Sequence, residues 1–151
     1  MKEAYLYEKL DNKWVKCALC NHRCLLKNGL KGICGVRENR DGILISLSYD
    51  KIIARHVDPI EKKPLFHFFP GSLSYSIATP GCNLKCSFCQ NADISQMPAD
   101  QNRIWGESFS PSMLVDEAKA TGSLTISYTY TEPTIYYELA ADTARLASSK
   151  G

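Results

Sequence analysis

The chain has 151 residues, 44% of them hydrophobic, and a formal net charge of +2. That composition allows a core of ordinary size and gives too little positive charge to point to nucleic acid as a partner. No apolar run reaches bilayer length and the N-terminus lacks a hydrophobic signal core, so neither a membrane span nor an export signal is expected and the setting is cytoplasmic.

Residues 1–70 are expected to form a small, turn-rich β module. Asp41-Gly42 is a hairpin turn signal between Val36–Arg40 and the apolar run Ile43-Leu44-Ile45. Asp50-Lys51 turns the chain again before Ile52-Ile53-Ala54. From Asp58 to Pro70 the three prolines Pro59, Pro64 and Pro70 predict an extended connector. No internal repeat and no low-complexity segment is present.

From Ser72 the pattern changes, and residues 71–151 read as a separate unit. Leu73, Tyr75, Ile77 and Thr79 alternate with small residues as in a strand, which Pro80-Gly81 ends. A polar loop is expected from Asn91 to Phe109. Ser110-Pro111 then starts a helix, with Ser as N-cap and Pro in the first turn, Leu114, Val115 and Ala118 form its apolar face, and Gly122 is its stop. Leu124, Ile126, Tyr128 and Tyr130 alternate as a second strand. Pro133 opens a second helix with Ile135, Leu139 and Leu146 on one side. The order β-loop-α-β-α predicts a parallel β-α-β unit. In α/β barrels the functional residues sit on loops at the C-terminal ends of the strands, which here are the loop after Pro80 and the turn Thr131-Glu132-Pro133.

The seven cysteines divide by position into Cys17, Cys20, Cys24 and Cys34, and Cys82, Cys86 and Cys89. An odd count split four and three argues against a disulfide framework and for two metal sites in a reducing compartment. The spacing C-x3-C-x2-C from Cys82 to Cys89 suits three irons of a cubane cluster, and the fourth iron, lacking an obvious protein ligand, is open to a small molecule. A structural zinc with His67 as fourth ligand is the alternative for this trio, although zinc knuckles usually place cysteines in C-x2-C pairs. The first set, spaced C-x2-C-x3-C-x9-C, fits a structural zinc, with His22 as a substitute ligand, or an auxiliary iron–sulfur cluster. Four unbound buried thiols remain a third account, because free cysteine packs as a small hydrophobe.

These residues carry a resemblance. Cys17-Ala18-Leu19-Cys20 with Cys24, Gly32-Ile33-Cys34-Gly35-Val36-Arg37, the stretch Asp58 to His67, Cys82 to Asn91, and Tyr128 to Thr134 together cover nearly the whole chain. The chain resembles the start of a radical S-adenosylmethionine (SAM) enzyme of the pyruvate formate-lyase activating enzyme-related group, and more narrowly the radical SAM proteins of the AmmeMemoRadiSam system. The resemblance implies an incomplete α/β partial TIM barrel, with two β-α units visible of about six, preceded by the cysteine-rich module. It implies a [4Fe–4S] cluster on Cys82, Cys86 and Cys89, with SAM on the fourth iron, reductive cleavage of SAM to a 5′-deoxyadenosyl radical, an electron donor such as ferredoxin or flavodoxin, and a protein partner as substrate. Phe88 would pack near the adenine of SAM. Glu132 stands where activating enzymes often have Gly-Gly-Glu, the carboxylate holding the methionyl ammonium; here Tyr130-Thr131 replace the two glycines. With two of the β-α units, the chain alone is expected to turn SAM over poorly, as the N-terminal part of a longer enzyme.

Other residues have plainer accounts. Glu132 also suits a helix N-terminus, where a carboxylate favours the dipole. His56 and His67 are expected to pack or hydrogen-bond, and Lys62-Lys63 to be solvated or to meet a carboxylate. Tyr128 and Tyr130 are expected to be strand residues in a core, one of them facing the barrel interior. Two non-catalytic functions compete with the enzyme: a zinc-stabilised binding module, and an iron–sulfur electron carrier.

Overall fold

The computed structural model of the protein describes residues 1–150. Six short strands come first: β1 (Lys2–Glu3), β2 (Tyr7–Lys9), β3 (Val15–Cys17), β4 (Leu25–Leu26), β5 (Arg37–Arg40) and β6 (Ile43–Ser46). They form two antiparallel sheets, ordered β1-β6-β5 and β2-β3-β4. The Asp41-Gly42 turn joins β5 to β6. Its φ values of 54° and 85° are the positive pair that a two-residue I′ turn requires, and Arg40 pairs with Ile43 across it. The core beneath these sheets is small: Ala4, Val15, Cys17, Leu26 and Leu44.

β7 (Lys51–Ile52), β8 (Ala54–Pro59) and β9 (Leu73–Ala78) follow. Here the structure differs from the expected connector. Asp58 and Pro59 complete β8, and Ile60–Lys62 form a 3₁₀ turn. β8 pairs antiparallel with β9 along its whole length, from Ala54 opposite Ala78 to Pro59 opposite Leu73. Pro59 is tolerated because it ends an edge strand, where a missing N–H matters least. The loop expected at 91–109 is more structured than its polarity suggests. It contains α1 (Ala92–Ser95), α2 (Met97–Asp100) and β10 (Glu107–Ser108), which pairs with β7.

α3 (Pro111–Ala120) begins as its sequence signals. Ser110 Oγ accepts a hydrogen bond from the Met113 N–H at 3.2 Å, and Gly122, with φ 70°, lies just beyond the helix end. β11 (Ser123–Tyr128) pairs in parallel with β9, Ile126 opposite Tyr75 and Tyr128 opposite Ile77. The expected β-α-β unit is therefore present, flanked by β8 as an antiparallel third strand. A 3₁₀ turn at Pro133–Tyr136 leads into α4 (Tyr137–Ser149).

The two faces of β9 have different chemistry. Tyr75 and Ile77 pack with Leu114 and Ala118 of α3 and with Ile135, Tyr136 and Leu139, in a core that Val36 and Ile52 also enter. Ser74 and Ser76, on the other face, are fully buried against polar partners. The N-terminal sheets are fastened to α4 by a buried ion pair between Arg37 and Glu138 and by the Tyr5 N–H, which donates to Glu138 Oε1 at 2.9 Å. The whole is a mixed α/β fold. Among the described residues no helix is long and apolar enough to cross a membrane.

Candidate metal centre

Cys82, Cys86 and Cys89 lie on the loop that leaves the C-terminal end of β9. Backbone bonds shape this loop closely. The Gly81 N–H donates to Ile94 O at 3.1 Å and the Cys89 N–H to Cys86 O at 3.2 Å. Gln96 Nε2 donates to Leu84 O at 3.0 Å, so the two helical turns that the sequence did not announce hold the cysteine loop in place. The Leu84 N–H points to Cys82 Sγ at 3.4 Å, and Cys89 Sγ lies 3.6 Å from Ser95 Oγ.

Gly81 shows why the loop begins with glycine. Its φ is 103°, and a Cβ there would stand 2.7 Å from Val36 Cγ1 and 3.1 Å from Cys34 O. The loop is thus seated directly on the N-terminal module. His22 Nε2 adds a 2.8 Å hydrogen bond to Asn83 O, the residue after Cys82.

The turn after β11 is joined to the same loop. Asn91 Nδ2 donates to Tyr130 O at 2.9 Å, and Thr131 Oγ1 donates to Thr79 O at 2.9 Å. Glu132, half-buried, caps the 3₁₀ turn: Oε1 accepts from the Thr134 N–H at 3.3 Å and from Thr134 Oγ1 at 2.5 Å. Its helix-terminus role is therefore real, and both bonds fall on one carboxylate oxygen. Phe88 is 85% exposed, so its ring is open to a ligand.

The donor set suits a cluster with one open iron. None of the seven cysteines is in a disulfide, and Cys86 is exposed. Among the described residues no three His, Cys, Asp or Glu side chains converge on one point as the ligands of a single ion do. A cubane distributes its thiolates over separate irons, so three cysteines on one loop need not converge. His67 is exposed.

Beneath the turn lies a polar cluster that sequence reasoning missed. Asp58, 5% exposed, accepts from Lys62 Nζ at 2.8 Å, Lys63 Nζ at 2.7 Å, Ser76 Oγ at 2.8 Å and Tyr130 OH at 3.0 Å. Burial opposes its charge, but these four donors prevail and hold the carboxyl well below the usual carboxylate range. His56 meets the Tyr130 ring edge-on at 5.7 Å. Tyr128 instead packs with the helices and donates to Ala140 O at 3.2 Å. The signal for Asp58 was its nearness to Lys62 and Lys63, which a lone sequence presents as a solvated pair.

The four N-terminal cysteines share one neighbourhood without converging on a point. Cys17, Cys20, Cys24 and Cys34 line one cavity with His22, Arg37 and Asn83. Burial pushes the Cys17 thiol up, and pushes the Cys34 thiol up to about 11.

Residues 76–151, just over half of the chain, match the Radical SAM superfamily. The uncharacterized protein MJ0808 of Methanocaldococcus jannaschii is 46% identical over 151 residues, which are all of this chain and 45% of that protein. A second uncharacterized protein of the same organism, MJ0674, is 33% identical over 95 residues, 62% of this chain and 23% of that protein. The chain therefore spans less than half the length of either relative. No solved structure matches the chain significantly.

Proposed function

Because the chain belongs to the radical SAM superfamily, we propose that it forms the cluster-binding part of an enzyme that cleaves SAM reductively, with Cys82, Cys86 and Cys89 as ligands of a [4Fe–4S] cluster. The observation that carries this reading is the joining of two loops. The cysteine loop after β9 and the Glu132 turn after β11 emerge from adjacent parallel strands and are bonded to each other through Asn91 and Thr131. Such strand-end loops are where α/β barrels place their chemistry, and residues 71–151 would be the first two β-α units of a partial barrel, preceded by residues 1–70 as the cysteine-rich module, whose β7 and β8 pair with strands of the second part. When bound, the cluster and SAM supply one-electron cleavage of the sulfonium to methionine and a 5′-deoxyadenosyl radical.

The remaining work falls to side chains of this chain. Phe88 offers an exposed ring on which an adenine can stack. Thr134 fixes one oxygen of Glu132, which leaves the second oxygen to accept from the methionyl ammonium as a charge-assisted hydrogen bond. The Leu84 N–H directed at Cys82 Sγ would raise the potential of a cluster bound there, because cluster potentials respond to hydrogen bonds to sulfur. The pyruvate formate-lyase activating enzyme-related group, and within it the AmmeMemoRadiSam proteins, is the subgroup we infer from the cysteine and Asp58–His67 motifs. A protein substrate and a ferredoxin- or flavodoxin-like electron donor accompany that assignment.

Anaerobic reconstitution with iron and sulfide, followed by electron paramagnetic resonance (EPR) with and without SAM, tests the proposal. The signal of the reduced cluster should change on adding SAM, and should vanish when Cys82, Cys86 and Cys89 are all replaced by Ala. A SAM-dependent change that survives the triple replacement refutes the assignment.

A further inference from the structure

We propose that Cys17, Cys20, Cys24 and Cys34 bind a single zinc ion as four thiolates, and that this ion secures the N-terminal module beneath the Cys82–Cys89 loop. The proposal does not depend on the cluster assignment above.

Two tight turns carry the thiols to one cavity, although in the structure no three of them converge as the ligands of one ion do. The first starts at the end of β3, where the Cys17 N–H donates to Cys24 O at 2.9 Å and so closes the segment carrying Cys20. The second is the turn Gly32–Gly35, closed by the Gly35 N–H to Gly32 O at 2.8 Å, with Gly35 at φ 73°. The turns touch: a Cβ added to Gly32 would lie 3.6 Å from Cys24 Sγ. Between them is a cavity of about 10 Å³, room for about one water-sized body. That is the scale of a single ion.

A second observation comes from Arg37, which lines the same cavity. It is 1% exposed, and only Nη2 has a partner, Glu138. Nε and Nη1 are buried without acceptors. Buried donors without acceptors are rare in native proteins. Thiolates bound to a metal would be such acceptors, and the guanidinium charge would offset part of the net negative charge of a zinc–tetrathiolate centre. Neutral thiols are only weak acceptors and carry no charge for the guanidinium to offset.

The size of the module supplies the reason for a metal. Its core is five buried residues under strands of two to four residues, the kind of small unit that usually depends on a metal or disulfide. On binding, Zn²⁺ displaces four thiol protons to solvent and forms four Zn–S bonds of about 2.3 Å, which draw the sulfurs to about 3.8 Å from one another. Cys20 and Cys24, both half-buried, would have to move inward to complete that geometry. Through His22, bonded to Asn83 O, and through the Cys34–Val36 contact with Gly81, the closed site would bear directly on the cysteine loop.

The test uses the whole 151-residue chain with Cys82, Cys86 and Cys89 replaced by Ala, so that only the N-terminal thiols remain. Purified anaerobically from zinc-supplemented cells, it should hold about one zinc per chain. Exchange into cobalt(II) should give intense thiolate-to-metal charge-transfer bands with the visible bands of a tetrahedral site. Adding Cys17→Ser and Cys34→Ser should abolish them. If that variant fails to fold, Cys20→Ser, which alters a half-buried residue, should shift the cobalt bands toward those of a three-thiolate site. Less than about half an equivalent of zinc, cobalt bands that are weak or unchanged in the Ser variants, or about four iron per chain on reconstitution with iron and sulfide would each overturn the single-zinc assignment.

Discussion

Replacement of Glu138 by Gln tests how the two parts of the chain are held together. Glu138 is fully buried at the start of α4, and it receives both Arg37 from β5 and the Tyr5 N–H. Gln keeps the shape but only one acceptor oxygen, so the change removes the negative charge and turns an NH2 toward either Arg37 Nη2 or the Tyr5 N–H. Arg37, 1% exposed, is then a buried cation without a counter-charge. Breaking a buried pair from one side typically costs about 3–5 kcal/mol, and at about 2–4 °C per kcal/mol for a chain of this size the melting temperature should fall by roughly 6–20 °C. Urea unfolding followed by circular dichroism, backed by a thermal melt, measures it. The double variant Arg37→Met with Glu138→Leu should recover most of the loss, because apolar residues can replace a buried pair at little cost. A single-variant loss below about 1 kcal/mol, the range of exposed pairs, would refute the argument that this pair links the halves.

Three further outcomes follow from the site. Asp58→Asn should cost about 1.5–3 kcal/mol at pH 7 in urea unfolding; since the folded carboxyl titrates below its unfolded value, its contribution is complete above about pH 4 and declines as pH falls toward the folded value, so the variant should lose part of the acid-side slope of stability. Gly81→Ala meets both a left-handed φ and a carbonyl at 3.1 Å, and should lower cluster loading, read by iron content, as well as the melting temperature. Glu132→Gln should weaken SAM binding by about ten- to a hundredfold, the equivalent of one charged hydrogen bond, as read by SAM titration of the EPR signal.

Much of the order of elements was legible because it rests on local chemistry. Asp41-Gly42, Ser110-Pro111 and Gly122 each act through their own backbone, and each appears where the sequence puts it. The parallel pairing of β9 and β11 followed from the β-α-β order. The parts that were not legible depend on partners distant in sequence. β8 is concealed by three nearby prolines and is a strand only because β9 lies beside it. α1 and α2 are single turns stabilised by the loop they support, too short for a helical period to show. Arg37 and Asp58 both stand within the motifs that carry the family resemblance, but two of their polar partners, Glu138 and Tyr130, are 101 and 72 positions away.

Tyr130 shows how a residue other than glycine is held in the strand-end turn after β11. Its φ is 63°, a conformation that glycine adopts without strain and that costs other residues about 1–2 kcal/mol. Four contacts offset that cost. The phenol donates to Asp58 at 3.0 Å, His56 meets the ring edge-on at 5.7 Å, Lys63 lies over it with Nζ 5.5 Å from its centre, and the backbone carbonyl accepts from Asn91 at 2.9 Å. The backbone path that glycine permits is therefore retained, while the side chain extends from the turn beside the cysteine loop to the polar cluster around Asp58 and Ser76. A glycine would give the turn alone. The tyrosine couples the turn to the Asp58 cluster, so that the positions of Thr131 and Glu132 depend on the ionic network around Lys62 and Lys63 as well as on local backbone geometry.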